Sequence, residues 1–127
     1  MDKISPRAVT IKRLRKEADT LLQEIAQAEY PACEVCGSLT RAGHHFFPKG
    51  SAAELRYDLQ NIVSLCSGCH VKHHRGSNPE IHAKVMRDRG YEWYDDLYSR
   101  KSTTRSRNKT YYLGVIKTLK ARLGTKH

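Results

Sequence analysis

Apolar residues near the start of the chain recur every three or four positions, the period of a helix with one buried face. They are Ile11, Leu14, Ala18, Leu21, Ile25 and Ala28. Ser5-Pro6 provides a start, a cap residue followed by proline at the first helical position. Tyr30-Pro31 provides the end. The pattern predicts a helix over 6–29. Its apolar face packs within the domain, which we favour, or forms a short dimer seam, although so short a repeat is thin support for one.

Two short runs in the middle of the chain have the β-branched and aromatic composition of strands, at 42–47 and 61–65. The polar segment between them predicts a loop with at most a helical turn. Proline and glycine then mark the limits of several helices. We expect helices from Cys69 to Gly76, from Asn78-Pro79 to Arg89, from Tyr91 to Tyr98, and around Tyr112, Ile116, Leu119 and Leu123.

The length of 127 residues predicts one domain of the α+β class, 1–127. We divide it into four parts. They are the N-terminal helix 6–29, a central core 33–76, a helical support 77–98 and a basic C-terminal region 99–127. Tyr91, Trp93 and Tyr94 could stack on bases, but core packing is the better expectation for such a cluster.

The net charge of +10 is concentrated at the C-terminal end, where residues 99–127 hold nine basic and no acidic side chains. A localised basic patch favours a polyanion partner. A solvated or partly disordered basic tail is the alternative. No apolar run approaches the roughly 18–20 residues of a membrane helix, and the N-terminal segment lacks the apolar core of a signal peptide. We therefore expect a cytoplasmic protein of a bacterial host cell, with no membrane partner.

All four cysteines lie in two C-x-x-C pairs, Cys33/Cys36 and Cys66/Cys69. In a reducing compartment such pairs are more often metal ligands than disulfides. Four thiolates are a common ligand set for structural zinc. The alternative is a redox-active C-x-x-C. We expect a structural Zn²⁺.

The histidines in and after the predicted strands divide into two groups. His70 and His74 are four residues apart and would project from one face of a helix. His44 and His45 are neighbours on a strand and would point to opposite sides. One can then bind a metal while the other exchanges protons, the two roles that phosphodiester hydrolysis requires. The alternative is a zinc module whose histidines are merely structural.

The stretch HHFFPKG…NIVSLCSGCHVKHHRG resembles the HNH (ββα-metal) endonuclease motif, and H-H-x-x-P…N-I…H-x-x-x-H-R-G is similar to the nuclease colicins. The form with flanking cysteines resembles the zinc-containing HNH proteins of phages and restriction systems. Outside this stretch, the N-terminal helix, NPEIHAKVMRDRGYEWYDDL and the basic C-terminal helix resemble the phage NinG (Rap) recombination proteins, which act on branched intermediates.

The resemblance implies a small ββα-metal core with a four-cysteine zinc, flanked by N- and C-terminal helices. It implies that His45 is the general base, that Asn61 orients the hairpin, and that His44, His70 and His74 bind a catalytic ion. Many family members have aspartate where this chain has His44. An all-imidazole set suits zinc, nickel or manganese better than magnesium, although availability favours Mg²⁺. The candidate ions are therefore Mg²⁺, Mn²⁺, Ni²⁺ and Zn²⁺.

We therefore expect a metal-dependent DNA endonuclease that leaves 5′-phosphate and 3′-hydroxyl ends and acts in phage recombination on branched DNA. A nicking or packaging nuclease on duplex DNA, a non-catalytic zinc DNA-binding module, and an RNA-directed nuclease or toxin are the alternatives. The protein could act as a homodimer. Several basic residues are candidates for contact with DNA phosphates, and the alternative for each is a solvated surface charge without such a contact. These candidates are Lys49, Arg56, Arg75, Arg105, Arg107, Lys109, Lys117 and Lys120.

Overall fold

The first helix, α1 (Ile11–Glu29), begins later than predicted. In this computed structural model the chain is described over residues 9–40, 42–70 and 79–124, so Ser5-Pro6 lies outside the described residues. Thr10 is the N-cap, because its backbone is extended and its hydroxyl accepts a hydrogen bond from the Arg13 amide at 3.1 Å. The predicted helical start at Pro6 is therefore wrong by about a turn, whereas the predicted end at Glu29 is confirmed.

A two-stranded antiparallel hairpin follows, formed by β1 (Gly43–His45) and β2 (Ile62–Ser64). Both strands are shorter than predicted. After His45 the Phe46 amide still donates to the Asn61 carbonyl at 2.8 Å, whereas the Phe47 amide bonds to the Asn61 side chain instead of backbone. The connecting loop contains two 3₁₀ turns, Ala53–Leu55 and Leu59–Asn61, in agreement with the predicted helical turn.

Four further helices complete the described chain. The predicted helix from Cys69 to Gly76 is described only over 67–70, which we call α2, and its remainder falls in 71–78, outside the described residues. Gly90, with φ of +93°, separates the next two helices, as expected for a glycine stop. The other helices are α3 (Pro79–Arg89), α4 (Tyr91–Arg100) and α5 (Lys109–Gly124).

The apolar face of α1 is buried against α5 inside the same chain. Leu14, Leu22 and Ile25 of α1 share one core with Tyr112 and Ile116 of α5. This confirms packing within the domain and leaves no free apolar seam on this face. The C-terminal basic region is therefore part of the folded scaffold. The mixed helices and small sheet agree with the predicted α+β class.

A second core lies under the hairpin and is centred on Phe46. Val63 and Val85 are buried in it, and Trp93 and Tyr94 pack against it. Core packing is therefore confirmed for these two aromatic residues. It is wrong for Tyr91, which is 69% exposed. Among the described residues, no helix has the length and apolar character needed to cross a bilayer.

Candidate metal centre and active-site groove

The first cysteine pair lies on a tight knuckle ahead of the hairpin. The Cys33 amide donates to the Ser38 carbonyl at 2.7 Å and the Gly37 amide donates to the Cys33 carbonyl at 2.9 Å. Gly37 has φ of +80°, a conformation that glycine adopts without strain. The second pair lies at the start of α2, where the Cys66 carbonyl accepts from the His70 amide at 2.8 Å.

The four sulfur atoms all lie within 4.8 Å of one another. Tetrahedral zinc with Zn–S bonds of about 2.3 Å separates its sulfurs by roughly 3.8 Å, so the set fits a zinc ion with small adjustments. The side chain of Ser38 lowers the pKa of Cys36 to about 6, whereas burial raises the pKa of Cys69 to about 12. A cation among the sulfurs would favour the thiolate form of all four. The cluster is compatible with structural zinc.

A half-buried ion pair that the sequence did not reveal supports the knuckle. Arg89 of α3 donates to both carboxylate oxygens of Glu34, the residue after Cys33, and to the carbonyls of Gln60 and Ile62. The Glu34 amide in turn donates to the Ser64 carbonyl at 2.9 Å. The knuckle, β2 and α3 are thus joined by one network. No sequence signal indicates it, because its partners are far apart along the chain.

His45 is the last residue of β1, and its ring turns towards the connecting loop. Its Nε2 lies 2.8 Å from the Arg56 carbonyl oxygen. A carbonyl can only accept, so Nε2 carries the hydrogen, and in the neutral ring Nδ1 then has the free electron pair. Burial lowers the pKa of His45 below its ordinary value, which favours this neutral form.

Asn61 is fully buried, with 0% of its surface exposed, directly before β2. Its side-chain oxygen accepts from the Phe47 amide at 2.8 Å, and its nitrogen donates to the Phe47 carbonyl at 3.0 Å and the Leu55 carbonyl at 3.3 Å. One amide side chain therefore joins both ends of the loop that follows His45. The arrangement is compatible with the predicted role of Asn61 in orienting the hairpin, and that role stays a prediction.

The side chains of His44 and His70 are in contact. Their rings are stacked, with centroids 3.8 Å apart and planes at 14° to each other. The third expected ligand, His74, lies outside the described residues. Within the described ranges, the four cysteines form a group of side chains that could bind a metal ion. Two of the three histidines expected to bind the catalytic ion lie within those ranges.

A groove of about 520 Å³ opens beside these histidines. It is lined by Gln23, His44, His45, Lys49 and His70, among other residues. Two imidazoles that could hold an ion, a neutral imidazole and an exposed cation therefore share one open surface.

Gln23 is a residue of this groove that the sequence analysis missed. On α1 its position predicts only a partly exposed helix residue, so the sequence gives no signal of its contact with the hairpin. Its side chain donates from Nε2 to the Gly43 carbonyl at 2.8 Å and accepts at Oε1 from the Gly43 amide at 2.9 Å. Gln23 thereby fixes the start of the strand that carries both histidines.

Two of the cations expected to contact phosphates near this groove differ in their surroundings. Lys49 is exposed on the groove wall. Arg56 instead forms two hydrogen bonds with Asp19, at 3.1 and 2.7 Å, and only 20% of its side chain is exposed. Its charge is already paired with a carboxylate within the fold, which weighs against the predicted phosphate contact. Arg75 lies outside the described residues.

The basic C-terminal region is less available than its composition suggests. Arg105 and Arg107 both pair with Glu54, and Lys120 lies 3.5 Å from Glu17. These three cations therefore hold the C-terminal region against the body of the protein. Lys109 and Lys117 lie on α5. Lys117 is exposed and makes no ion pair with any residue that the structure describes.

Comparisons with known proteins find a family match and a similar protein. A sequence model of the family described as HNH endonuclease matches residues 33–76, which hold all four cysteines, His44, His45, Asn61, His70 and His74. The chain is also 32% identical over 56 residues to Anaredoxin from Nostoc sp. (strain PCC 7120), covering 42% of this chain and 71% of that protein. No solved structure matches the chain significantly.

Proposed function

Because the chain belongs to the HNH endonuclease family, we propose that it is a metal-dependent DNA endonuclease with His45 as its general base. The observation that carries this proposal is the hydrogen bond from His45 Nε2 to the Arg56 carbonyl, at 2.8 Å. It leaves Nδ1 of a neutral imidazole to accept a proton, in a groove that also holds His44 and His70. A merely structural histidine would not need an open groove beside it.

In the proposed reaction His45 Nδ1 removes a proton from a water molecule as its oxygen attacks the phosphorus atom. The bond from phosphorus to the 3′-oxygen breaks, the departing oxygen takes a proton from solvent, and the products carry 5′-phosphate and 3′-hydroxyl ends. Asn61 keeps the loop that carries the Arg56 carbonyl in place, and so keeps His45 oriented. The low pKa of His45 allows the ring to be neutral and ready to accept a proton at neutral pH.

His44, His70 and His74 would hold the catalytic ion. An ion bound there would polarise the scissile phosphate and would stabilise charge on the departing oxygen. The contact between His44 and His70 supports this assignment, and imidazole ligands favour Mn²⁺, Ni²⁺ or Zn²⁺ over Mg²⁺.

We assign zinc to the four cysteines as a structural ion. It would join the knuckle to α2, and α2 carries His70, so the ion would also fix one side of the groove. The whole chain 1–127 would then act as a single domain. Its core 33–76 performs the chemistry, while 6–29, 77–98 and 99–127 support it.

For substrate, we favour branched DNA in phage recombination, on the resemblance to NinG (Rap) proteins. Lys49 on the groove wall and Lys109 and Lys117 on α5 are the proposed backbone contacts among the described residues, with Arg75 beside His74. Such contacts to phosphate would be largely independent of sequence.

The test is a cleavage assay that compares a supercoiled plasmid with a synthetic four-way junction at equal molar concentration. Each substrate is incubated with Mg²⁺, Mn²⁺, Ni²⁺ or EDTA. We expect ion-dependent cutting, ligatable 5′-phosphate ends and faster turnover of the junction. Equal turnover of plasmid and junction would favour a nicking or packaging nuclease instead. Folded, zinc-loaded protein that binds DNA but cuts neither substrate with any ion would be a DNA-binding module.

A further inference from the structure

Arg56 forms hydrogen bonds through both its backbone and its side chain. Its carbonyl oxygen accepts the hydrogen bond from His45 Nε2, and its guanidinium donates from Nε and Nη2 to the two carboxylate oxygens of Asp19. Asp19 lies on α1, outside the matched segment 33–76. A continuous chain of contacts therefore runs from the scaffold helix to the imidazole of His45.

The backbone that carries this carbonyl is also supported by its neighbours, because the Leu55 amide donates to the Ala52 carbonyl at 2.9 Å and the Asp58 amide donates to the Leu55 carbonyl at 3.2 Å. Arg56 follows the 3₁₀ turn Ala53–Leu55, and its amide makes a long bond of 3.3 Å to the Ala53 carbonyl. The neighbouring Leu55 carbonyl accepts from Asn61 at 3.3 Å. One side of the loop is thus fixed by Asn61, and the other is fixed by the ion pair with α1.

We propose that Asp19 and Arg56 are positioning residues, which hold the Arg56 carbonyl against His45 and thereby fix the tautomer and orientation of its ring. The inference rests on the proposed role of His45 as the base. It assigns to Arg56 a function other than binding phosphate, and it gives α1 a direct part in the chemistry.

A phosphate clamp would need a different environment. The guanidinium of Arg56 is neutralised by a carboxylate that is itself 37% exposed, and an approaching phosphate would be repelled by that carboxylate. The guanidinium also lies over the ring of Tyr57, 5.6 Å from its centre, which covers one face. Bidentate pairing makes arginine specific here, because lysine cannot reproduce two parallel hydrogen bonds.

The decisive variant is Asp19→Asn, which keeps the size of the side chain and removes its charge. Asp19 cannot bind phosphate, so a loss of turnover in this variant would not be the loss of a phosphate contact. On plasmid DNA we expect kcat to fall at least about tenfold, with KM and the Kd for DNA unchanged, because small displacements of a catalytic group are costly. Arg56→Lys should retain more kcat than Arg56→Gln, and the double variant Asp19→Asn/Arg56→Gln should lose no more than Arg56→Gln alone.

The clamp hypothesis predicts the opposite pattern. Arg56→Gln would then raise KM and the Kd for DNA, while Asp19→Asn would leave kcat unchanged or tighten binding by freeing the guanidinium. That result would overturn the proposal. If Asp19→Asn does not fold, Arg56→Lys provides the test. A lower kcat with an unchanged KM would support positioning, and a raised KM with an unchanged kcat would support the clamp.

The state of His45 can also be read without any cleavage. In ¹⁵N-resolved spectra of its ring we expect a single Nε2–H tautomer in the wild type and loss of the protected Nε2–H signal in Asp19→Asn. An unchanged ring signal in Asp19→Asn would overturn the proposal. If the wild type cut no DNA, the proposed function would fail, and this spectrum would still show whether the ion pair orients His45.

Glu29→Gln is the matched control. Glu29 also lies on α1 and also forms a bidentate pair, with Arg122 at 2.9 and 2.7 Å, but that pair joins α1 to α5 and has no bond to His45. We expect its kcat and ring spectrum to equal those of the wild type. An equal loss of kcat in Glu29→Gln would show a general loosening of α1 and would contradict positioning by Asp19.

Discussion

Gln23, which lies in α1, forms two hydrogen bonds with the backbone of Gly43, in the way that a neighbouring strand would. The amide of the Gln23 side chain bonds to both the carbonyl and the amide of Gly43, at 2.8 and 2.9 Å. The backbone approach is so close that a Cβ on Gly43 would lie 2.5 Å from Ile62 Cγ2 and 2.8 Å from Ala26 Cβ. The strand that carries His44 and His45 is therefore fitted directly against α1.

We predict that Gly43→Ala destabilises the protein by about 1–3 kcal/mol, the usual cost of inserting atoms into a packed core. The backbone of β1 must move to admit the methyl group. Urea unfolding followed by far-UV circular dichroism measures the change.

Gly114→Ala is the control for this substitution. Gly114 is exposed within α5, and a Cβ there meets no atom within 4 Å. Alanine should stabilise this position by up to about 1 kcal/mol, because glycine is a poor helix former. Equal stability of Gly43→Ala and wild type would mean that β1 is not pressed against α1.

Removal of the proposed structural zinc should unfold the central core. A zinc ion bound by the four thiolates would hold the knuckle to α2, so its binding free energy would contribute to folding. We predict that Cys36→Ser loses about one equivalent of zinc per chain by elemental analysis and unfolds at lower temperature. His44→Ala should keep this equivalent. Purified protein with a disulfide between these cysteines and no zinc would support the redox alternative.

Several parts of this site could be predicted from the sequence because local chemistry determines them. The two C-x-x-C pairs were predicted to meet, and the four sulfurs lie together. Gly90 and Tyr30-Pro31 end helices through their own backbone preferences. The start of α1 could not be predicted as well, since Thr10 and Ser5-Pro6 are both acceptable caps.

Contacts between distant side chains were not predictable in the same way. Arg56 has the sequence environment of a surface cation, and only the packing of the loop on α1 brings it to Asp19. The same holds for Arg105 and Arg107, whose partner Glu54 lies on that loop. Composition gives the total charge of a segment, whereas tertiary structure decides which charges remain available.

The packing of α5 against α1 changes how the proposed DNA-binding surface should be tested. Removing 99–127 would also remove α5 and expose the core of α1, so loss of binding would not identify a contact. We predict instead that Lys117→Gln weakens DNA binding and reduces the slope of log K against log salt by up to about 0.9 for one lost phosphate contact. Fluorescence anisotropy across salt concentrations measures both.

Lys84→Gln is the matched control, since Lys84 pairs with Asp88 on α3. Its binding constant and salt slope should remain close to those of the wild type. A slope unchanged in Lys117→Gln would remove Lys117 from the binding surface.

His82 should make the stability of the fold depend on pH. Its ring stacks on Phe46, with centroids 4.3 Å apart, and burial lowers its pKa below the ordinary value of 6.5. The unfolded chain therefore binds a proton more readily, and stability is lost as the pH falls below about 6.5. In His82→Phe this contribution disappears. Thermal unfolding of both proteins between neutral and mildly acidic pH should show a smaller decrease in the variant, and parallel curves would contradict it.

The most direct test of the account is the rate of plasmid nicking by His45→Ala, compared with wild type and His82→Phe at equal zinc content. A general base contributes about 10²–10⁴-fold, so we predict that His45→Ala loses at least about 100-fold in kcat while binding DNA normally. His82→Phe should cut at the wild-type rate. If His45→Ala nicks the plasmid as fast as the wild type, His45 is not the base and the proposed mechanism is wrong.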